Sequence, residues 1–531
     1  AAWAGMGTWE RDDAHRPPPL PFRPGTVSNG EFLPPEPSAR DREVARRIVA
    51  GADAAARRMG VDRRRFLQGA SGMALTLGVL NTAGCGGSDP PASSPARTSG
   101  SNPQTTAPRP TTTEPAGTFV VPDPEDAPAC EAALGGTELI FDVHTHHVMP
   151  DRPWRQNAPR ILDMIQGLVP AGCVEAEPLH CLDRVAYLHD MFLASDTTIA
   201  LLSDVPNSGP DDAPMPFDDA LGTQALADSL TSGGAGRVLV HNVIAPNFGP
   251  LEARLDDMEA RAATGKVAAF KVYTAWGPDH VGYALDDPAI GIPVVEKARS
   301  LGVKVMCAHK GLPLLEFDRS QNGPRDLVAL AARYPDMDFV VYHGAYEIQT
   351  TEGPYDPDTA DVGIDSLVKA LEDHGIGPNQ NVWAEVGTTW RETMNDPSQA
   401  AHALGKLLKH VGQARVMWGT DGIWYGSPQP QIMGFRAFQI DGATAAEHGY
   451  PMLTAELKAK VFGLNACRLF GLDPEETRCA LSADGLEAAR AEVRQMVATG
   501  ALPAAWQPRG PLTRREVLTW LSASTTPWTP W

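Results

Sequence analysis

Short apolar, β-branched runs recur between residues 137 and 475 and alternate with stretches of helical character. The runs cover 139–143, 197–205, 237–245, 267–274, 303–308, 338–342, 382–386 and 415–418. Helical stretches fall between them, among them 217–232, 251–264, 292–301, 326–333, 363–373 and 398–410. Eight such units predict an α/β chain whose parallel strands most simply close into a (β/α)8 TIM barrel, with a doubly wound open sheet as the alternative. The barrel accounts for one further regularity: polar and ionisable residues stand at the C-terminal ends of strands one, four, five, six and eight, the face on which barrels carry their sites. The long connection from His147 to about Asp196 is expected to hold helical insertions over the mouth.

The flanks follow a different pattern. Residues 1–61 form an extension that starts Pro-rich and irregular (Pro17-Pro18-Pro19, Pro34-Pro35) and becomes helical from a Ser38 N-cap to about Arg58. Within 62–85, Arg63-Arg64-x-Phe66-Leu67 resembles a twin-arginine export signal, and Thr82-Ala83-Gly84-Cys85 resembles a bacterial lipobox with Thr where Leu is usual. Translation from Met59 would give that signal a conventional length. Residues 86–117 are a Ser/Thr/Pro linker too poor in apolar residues to support a core, expected to be disordered. Together these features suggest export and lipidation at Cys85, with the folded part held at a membrane surface or in the periplasm. A cytoplasmic chain, with a basic helix start followed by a buried small-residue helix, is the alternative. Residues 476–531 form a tail with a helix at 483–498 and a capping-box pattern from Thr513 to Glu516.

Composition narrows the classes. A formal net charge of -20 speaks against nonspecific nucleic-acid binding. No apolar run reaches the roughly 20 residues of a membrane-spanning helix. The seven cysteines show no Cys-x-x-Cys spacing, so a structural zinc module is not expected. Neither Gly-x-Ser-x-Gly, a Walker A loop nor His-Glu-x-x-His occurs.

The chemistry concentrates at strand ends. His144 and His146 alternate on the first strand, so both imidazoles emerge on one face, as two ligands of one metal require. Strand four contains Lys271, strand five ends in His309, strand six in His343 and strand eight in Gly419-Thr420-Asp421. Taken singly, His309 reads equally as a buried, satisfied histidine and Asp421 as a helix cap. Taken together, His144, His146 and His309 supply nitrogens and Asp421 an oxygen, a set suited to Zn²⁺, with Mn²⁺ or Fe²⁺ as alternatives. Asp421 can accept a proton from a metal-activated water and return it to a leaving group.

These residues, with Val461-Phe462-Gly463-Leu464-Asn465-Ala466-Cys467-Arg468-Leu469-Phe470-Gly471-Leu472 as a closing helix, resemble the amidohydrolase superfamily, specifically its amidohydrolase-2 type, over about 137–475. The resemblance implies that His343 stands just off the metal, where it would polarise a carbonyl or stabilise an oxyanion. In several amidohydrolases a strand-four lysine is carboxylated and bridges two metals. Here one metal is expected, with Lys271 supporting the ligands or contacting substrate. Tyr273, Trp276, Trp390, Trp424 and Tyr425 offer stacking surfaces at the mouth, and Arg391 and Glu347 polar contacts. No argument lifts His147, His189 or His241 above structural roles.

The expected activity is metal-dependent hydrolysis of an amide, ester or lactone in a small, ring-bearing molecule. A decarboxylase of the aminocarboxymuconate-semialdehyde type and a noncatalytic, surface-tethered binding barrel are the alternatives. Related barrels suggest a homodimer.

Overall fold

The computed structural model describes residues 20–28, 33–83, 115–169, 173, 175–229, 236–313, 317–358, 360–482 and 485–499. Cys85, most of the linker and the Thr513 capping pattern lie outside them.

A short strand β1 (Gly117–Phe119) precedes eight parallel ones: β2 (Phe141–Thr145), β3 (Ile199–Leu202), β4 (Val238–Ile244), β5 (Val267–Val272), β6 (Val305–His309), β7 (Asp338–Tyr342), β8 (Val382–Glu385) and β9 (Val416–Met417). Each pairs with the next in chain order. The ends meet where Val143 N donates to Trp418 O at 3.1 Å and Thr145 bridges in parallel to Gly422. The sheet therefore closes into a barrel. Side chains follow the two-residue period of a strand. Leu201, Ala269, Cys307 and Val340 share one buried cluster, while Phe270, Met306, Phe339 and Val341 pack with the surrounding helices. The helices Phe217–Ser229, Leu251–Ala262, Gly291–Ser300, Arg325–Arg333, Gly363–His374 and Pro397–Lys406 match the expected alternation.

The connection after β2 is helical, as expected. Its Trp154, Leu179, Tyr187, Met191 and Phe192 form one cluster with Ile423 and Trp424 from the loop after β9. A disulfide joins Cys173 to Cys181 inside this insertion. The tail helix Leu486–Ala498 holds the same region from outside, through Arg490 donating to Phe192 O at 2.6 Å and Thr197 O at 2.8 Å.

The N-terminal part is built into the fold. Helix α1 (Ala39–Met59) starts at Ser38, whose capping box with Asp41 satisfies two backbone donors, and ends on the left-handed Gly60. Helix α2 (Arg63–Leu67) begins at Asp62 and turns sharply into α3 (Ala70–Ala83). A Cβ on Gly72 would lie 2.5 Å from Leu67 Cα, so the turn needs glycine there. Helix α3 buries Met73, Leu77 and Leu80 in the main core. Its Asn81 side chain donates to Phe119 O at 2.7 Å and accepts from Phe119 N at 2.8 Å. Strand β1 then pairs antiparallel with β10 (Phe438–Ile440), so residues 115–117, at the end of the expected linker, are built into the fold. In the twin-arginine-like stretch Arg63 pairs with Asp53 at 2.9 Å, Arg64 and Arg65 are exposed, and Phe66 and Leu67 are buried. Among the described residues no helix is long and apolar enough to cross a membrane.

Residues 20–28 run as a strap across the short helix Thr389–Thr393 that follows β8. Asn395 Oδ1 accepts from Gly25 N at 3.2 Å, Glu392 Oε1 from Val27 N at 3.4 Å, and Arg23 O from Arg391 Nη2 at 3.1 Å. The strap has no regular helix or strand, as its prolines predict, yet Phe22 and Val27 are buried.

Candidate metal centre

The strand ends bring His144, His146, His309, His343, Lys271, Glu385 and Asp421 into one buried cluster. His144 Nε2 and His146 Nε2 lie 3.5 and 3.4 Å from the same oxygen, Asp421 Oδ1. These three residues offer ligand atoms within 4.8 Å of one another, and so do His144, His343 and Glu385.

What fits this cluster to a cation is where the imidazole protons are spent. His146 Nδ1 lies 2.7 Å from Ser203 O, His343 Nδ1 2.8 Å from Gly387 O, and His309 Nε2 against Leu312 O. A carbonyl only accepts, so each of those nitrogens carries the ring's hydrogen and the other nitrogen presents a lone pair. His144 Nδ1 is held likewise by the Glu385 carboxylate at 3.1 Å. Lone pairs on His144 and His146 therefore face the Asp421 oxygen. His343 Nε2 and His309 Nδ1 face each other at 3.2 Å. Among these inward groups Lys271 is the hydrogen donor, its Nζ 3.2 Å from His144 Nε2. Such a donor set suits a divalent metal, and a partner on the far nitrogen of each histidine is how metal sites fix tautomer and orientation.

Electrostatics agree. Burial, then the Lys271 cation, pushes His144 and His146 below their ordinary range. Burial also lowers His309, and brings His343 to about 4. The rings are neutral at pH 7, the form that ligates. Burial alone would raise the Asp421 carboxyl; His146 and His343, when protonated, and Thr388 donating to Oδ2 at 2.8 Å act the other way and hold it below the usual carboxylate range.

Glu385 was not anticipated as a site residue. It ends β8 as the other ligands end their strands, takes the His144 proton, and accepts from His343 N at 3.1 Å and from Gly387 N. Burial pushes its pKa up to about 8. A Cβ on Gly419 would fall 1.9 Å from Glu385 Oε1, so glycine is required where that carboxylate packs. Asp142 is a second addition: its Oδ1 accepts from His144 N and Thr420 N, both at 3.1 Å, fastening β2 to the Asp421 loop.

The remaining expected residues divide. Trp424 stacks on His146 with centroids 5.7 Å apart, and Tyr273 lies 5.5 Å from His309. Tyr425 OH is 3.0 Å from Thr388 Oγ1. Trp276 sits further out, donating to Asn207 O. Lys271 reaches the centre itself rather than the mouth. His309 reaches the cluster but stands outside both three-residue groups, paired with His343. Trp390 is a correction: its ring is buried against Phe119, Phe435 and Phe438, and its Nε1 donates to Gln431 O. Successive helical residues point about 100° apart, so Trp390 faces the core while Arg391 faces the strap. The oxyanion role expected of His343 also changes, because its hydrogen is committed to Gly387 O and Nε2 accepts. Among the histidines given no role, His147 binds Thr223 Oγ1 at 2.9 Å and His241 meets Tyr342 OH at 3.1 Å. His241 also borders a cavity of about 40 Å³ with Asp204 and Asn242, which does not include the centre's ligands.

The Amidohydrolase family model (Amidohydro_2) matches residues 219–472. The match contains His309, His343, Glu385 and Asp421, while His144 and His146 precede it. Similar solved structures include an uncharacterized TIM-barrel protein from Bordetella bronchiseptica (12% identity, 62% of this chain and 98% of that one, TM-score 0.40). They also include 2,6-dihydroxybenzoate decarboxylase from Rhizobium (14%, 63% and 99%, TM-score 0.37) and an amidohydrolase from Mycobacterium avium subsp. paratuberculosis K-10 (14%, 64% and 100%, TM-score 0.33). No curated protein matches the sequence.

Proposed function

We propose that the chain is a metal-dependent hydrolase acting on an amide, ester or lactone of a small, ring-bearing substrate. One divalent ion, Zn²⁺ first and Mn²⁺ or Fe²⁺ next, would be held by His144, His146 and Asp421, with His309 as a further nitrogen. The observation that carries this reading is that His144 Nε2 and His146 Nε2, each ring held on its other nitrogen, face the one oxygen Asp421 Oδ1, with His343 and His309 beside them. A bound ion would supply Lewis acidity and acidify a water molecule. Asp421, steadied by Thr388, would take the proton of that water and return it to the leaving group. His343 Nε2 is a second acceptor beside it. Trp424 and Tyr273 offer the flat walls that a ring requires.

Decarboxylation is the second reading, favoured by Lys271, whose buried ammonium at the centre would hold a substrate carboxylate. We also propose export by the twin-arginine route with the signal retained; lipidation at Cys85 is the alternative, and its cleavage step would remove the strap and α1–α3. The Cys173–Cys181 disulfide supports export, since disulfides persist in oxidising compartments.

Elemental analysis of wild type against a variant carrying Asp421→Asn and His144→Ala tests the centre. About one metal per chain, absent from the variant, is expected. A folded wild type that takes up no divalent ion overturns the reading. With metal present, ¹⁸O from solvent in the product marks hydrolysis, and CO₂ without it marks decarboxylation.

A further inference from the structure

We propose that Arg391 anchors a carboxylate carried by the substrate, in a subsite walled by Tyr425 and by Phe22 of the N-terminal strap. The proposal rests on the buried centre being an active site, and it adds the substrate class: a ring-bearing acid.

Arg391 is 3% exposed, yet it makes no ion pair among the described residues. Nη2 donates to Arg23 O at 3.1 Å, while Nη1 is buried with no partner. The guanidinium carbon lies 5.5 Å from the Phe22 ring and 5.8 Å from the Tyr425 ring. Tyr425 in turn leads to the centre, through its hydroxyl on Thr388 and the Thr388 hydroxyl on Asp421 Oδ2.

Guanidinium stays charged inside proteins, and a buried cation without a counterion is costly. The nearest candidate counterion is Glu392, whose carboxylate is turned to Val27 N instead. Burial outweighs Arg391 and raises that carboxyl to about 7, so it is only partly ionised at neutral pH. Arg23 adds positive charge on the same side. A carboxylate oxygen matches the unpartnered Nη1, and the two rings near the guanidinium favour a flat, apolar body behind the carboxylate. The competing role is purely mechanical, with Arg391 clasping the strap through Arg23 O. That role predicts lost stability without any change in preference for acids.

The experiment titrates full-length wild type, Arg391→Gln and Arg391→Lys with benzoate and with benzamide, in the metal-loaded and the chelated chain. Heat of binding is the readout, and melting temperature controls for folding. Expected is benzoate affinity about tenfold or more weaker in Arg391→Gln and partly kept in Arg391→Lys, with benzamide unchanged. The chelated chain should show the same ordering, which separates this subsite from benzoate bound at the metal. Equal benzoate affinity in wild type and Arg391→Gln, or none in either, overturns the proposal. A chain that binds no metal but keeps the ordering overturns only the hydrolase reading.

Discussion

The barrel mouth and the N-terminal hairpin α1–α3 are both buried, by opposite means. At the mouth the buried groups are polar, and each imidazole is fixed by a named acceptor: Ser203 O, Gly387 O, Leu312 O or Glu385. In α3 the buried groups are Met73, Leu77 and Leu80, with Asn81 as the main polar tie, to β1. The mouth is preorganised at a cost in stability, since desolvating so many ionisable groups is unfavourable without a cation among them. The hairpin returns stability through apolar area removed from water. It also carries a conflict. Cleavage before Cys85 would remove α1, α2, α3 and the strap, whereas the folded chain uses them as core. An exported protein that keeps this packing must retain its signal.

Substitutions at the two regions should therefore fail differently. The largest effect belongs to the mouth: Asp421→Asn should cut turnover by about 10³-fold or more and remove the metal, while the melting temperature holds or rises. Lost turnover with metal retained would reduce Asp421 to a proton carrier. Next comes the hairpin. Leu77→Ala deletes a fully buried side chain and should cost about 3 kcal/mol in denaturant unfolding with the metal content unchanged. A mature protein that begins at Cys85, by intact mass, would make that substitution silent and show that the hairpin is discarded after export.

The two regions also differed in how far the sequence exposed them. All eight barrel strands were legible, because β-branched runs at a regular spacing have few other uses. His144, His146, His309, His343 and Asp421 were legible because strand ends are where polar residues stand out against such runs. Glu385 carries the same signal, a lone acid at the end of an apolar strand. The acceptors that set the tautomers were not readable, since Ser203, Gly387 and Leu312 act through backbone carbonyls that any residue supplies. Trp390 was misassigned because a loop position next to Arg391 does not reveal which way a helical turn will face. Helix α3 was ambiguous for a physical reason: small apolar residues with few charges satisfy both an export signal and a helix buried on all sides.

Glu385→Gln sharpens the mouth half of the comparison. The amide still occupies the space against Gly419 but can never ionise, so it cannot become the carboxylate acceptor for His144 Nδ1 that a bound cation would favour. Metal affinity should fall about 10- to 100-fold by competition with a chelator, with little change in unfolding free energy. Unchanged affinity would mean that packing alone orients His144.

The smallest effect lies where the regions meet, at Glu392. Its carboxyl is raised to about 7 in the fold from an ordinary 4.5. Between those values the folded state binds more protons than the unfolded one, so this group's contribution is full below about 4.5 and is lost as pH rises through 7. The strap should be held more tightly at pH 5.5 than at pH 8. Asp204, raised to about 8 by burial, shifts global stability in the same direction, so a melting curve cannot isolate the strap. Hydrogen exchange at Val27 can, because its amide donates directly to Glu392 Oε1. The protection factor, corrected for intrinsic exchange, should drop severalfold between the two pH values in wild type and stay level in Glu392→Gln, which remains neutral throughout. The same drop in both proteins would assign the loosening to another group and leave the strap without pH control of its own.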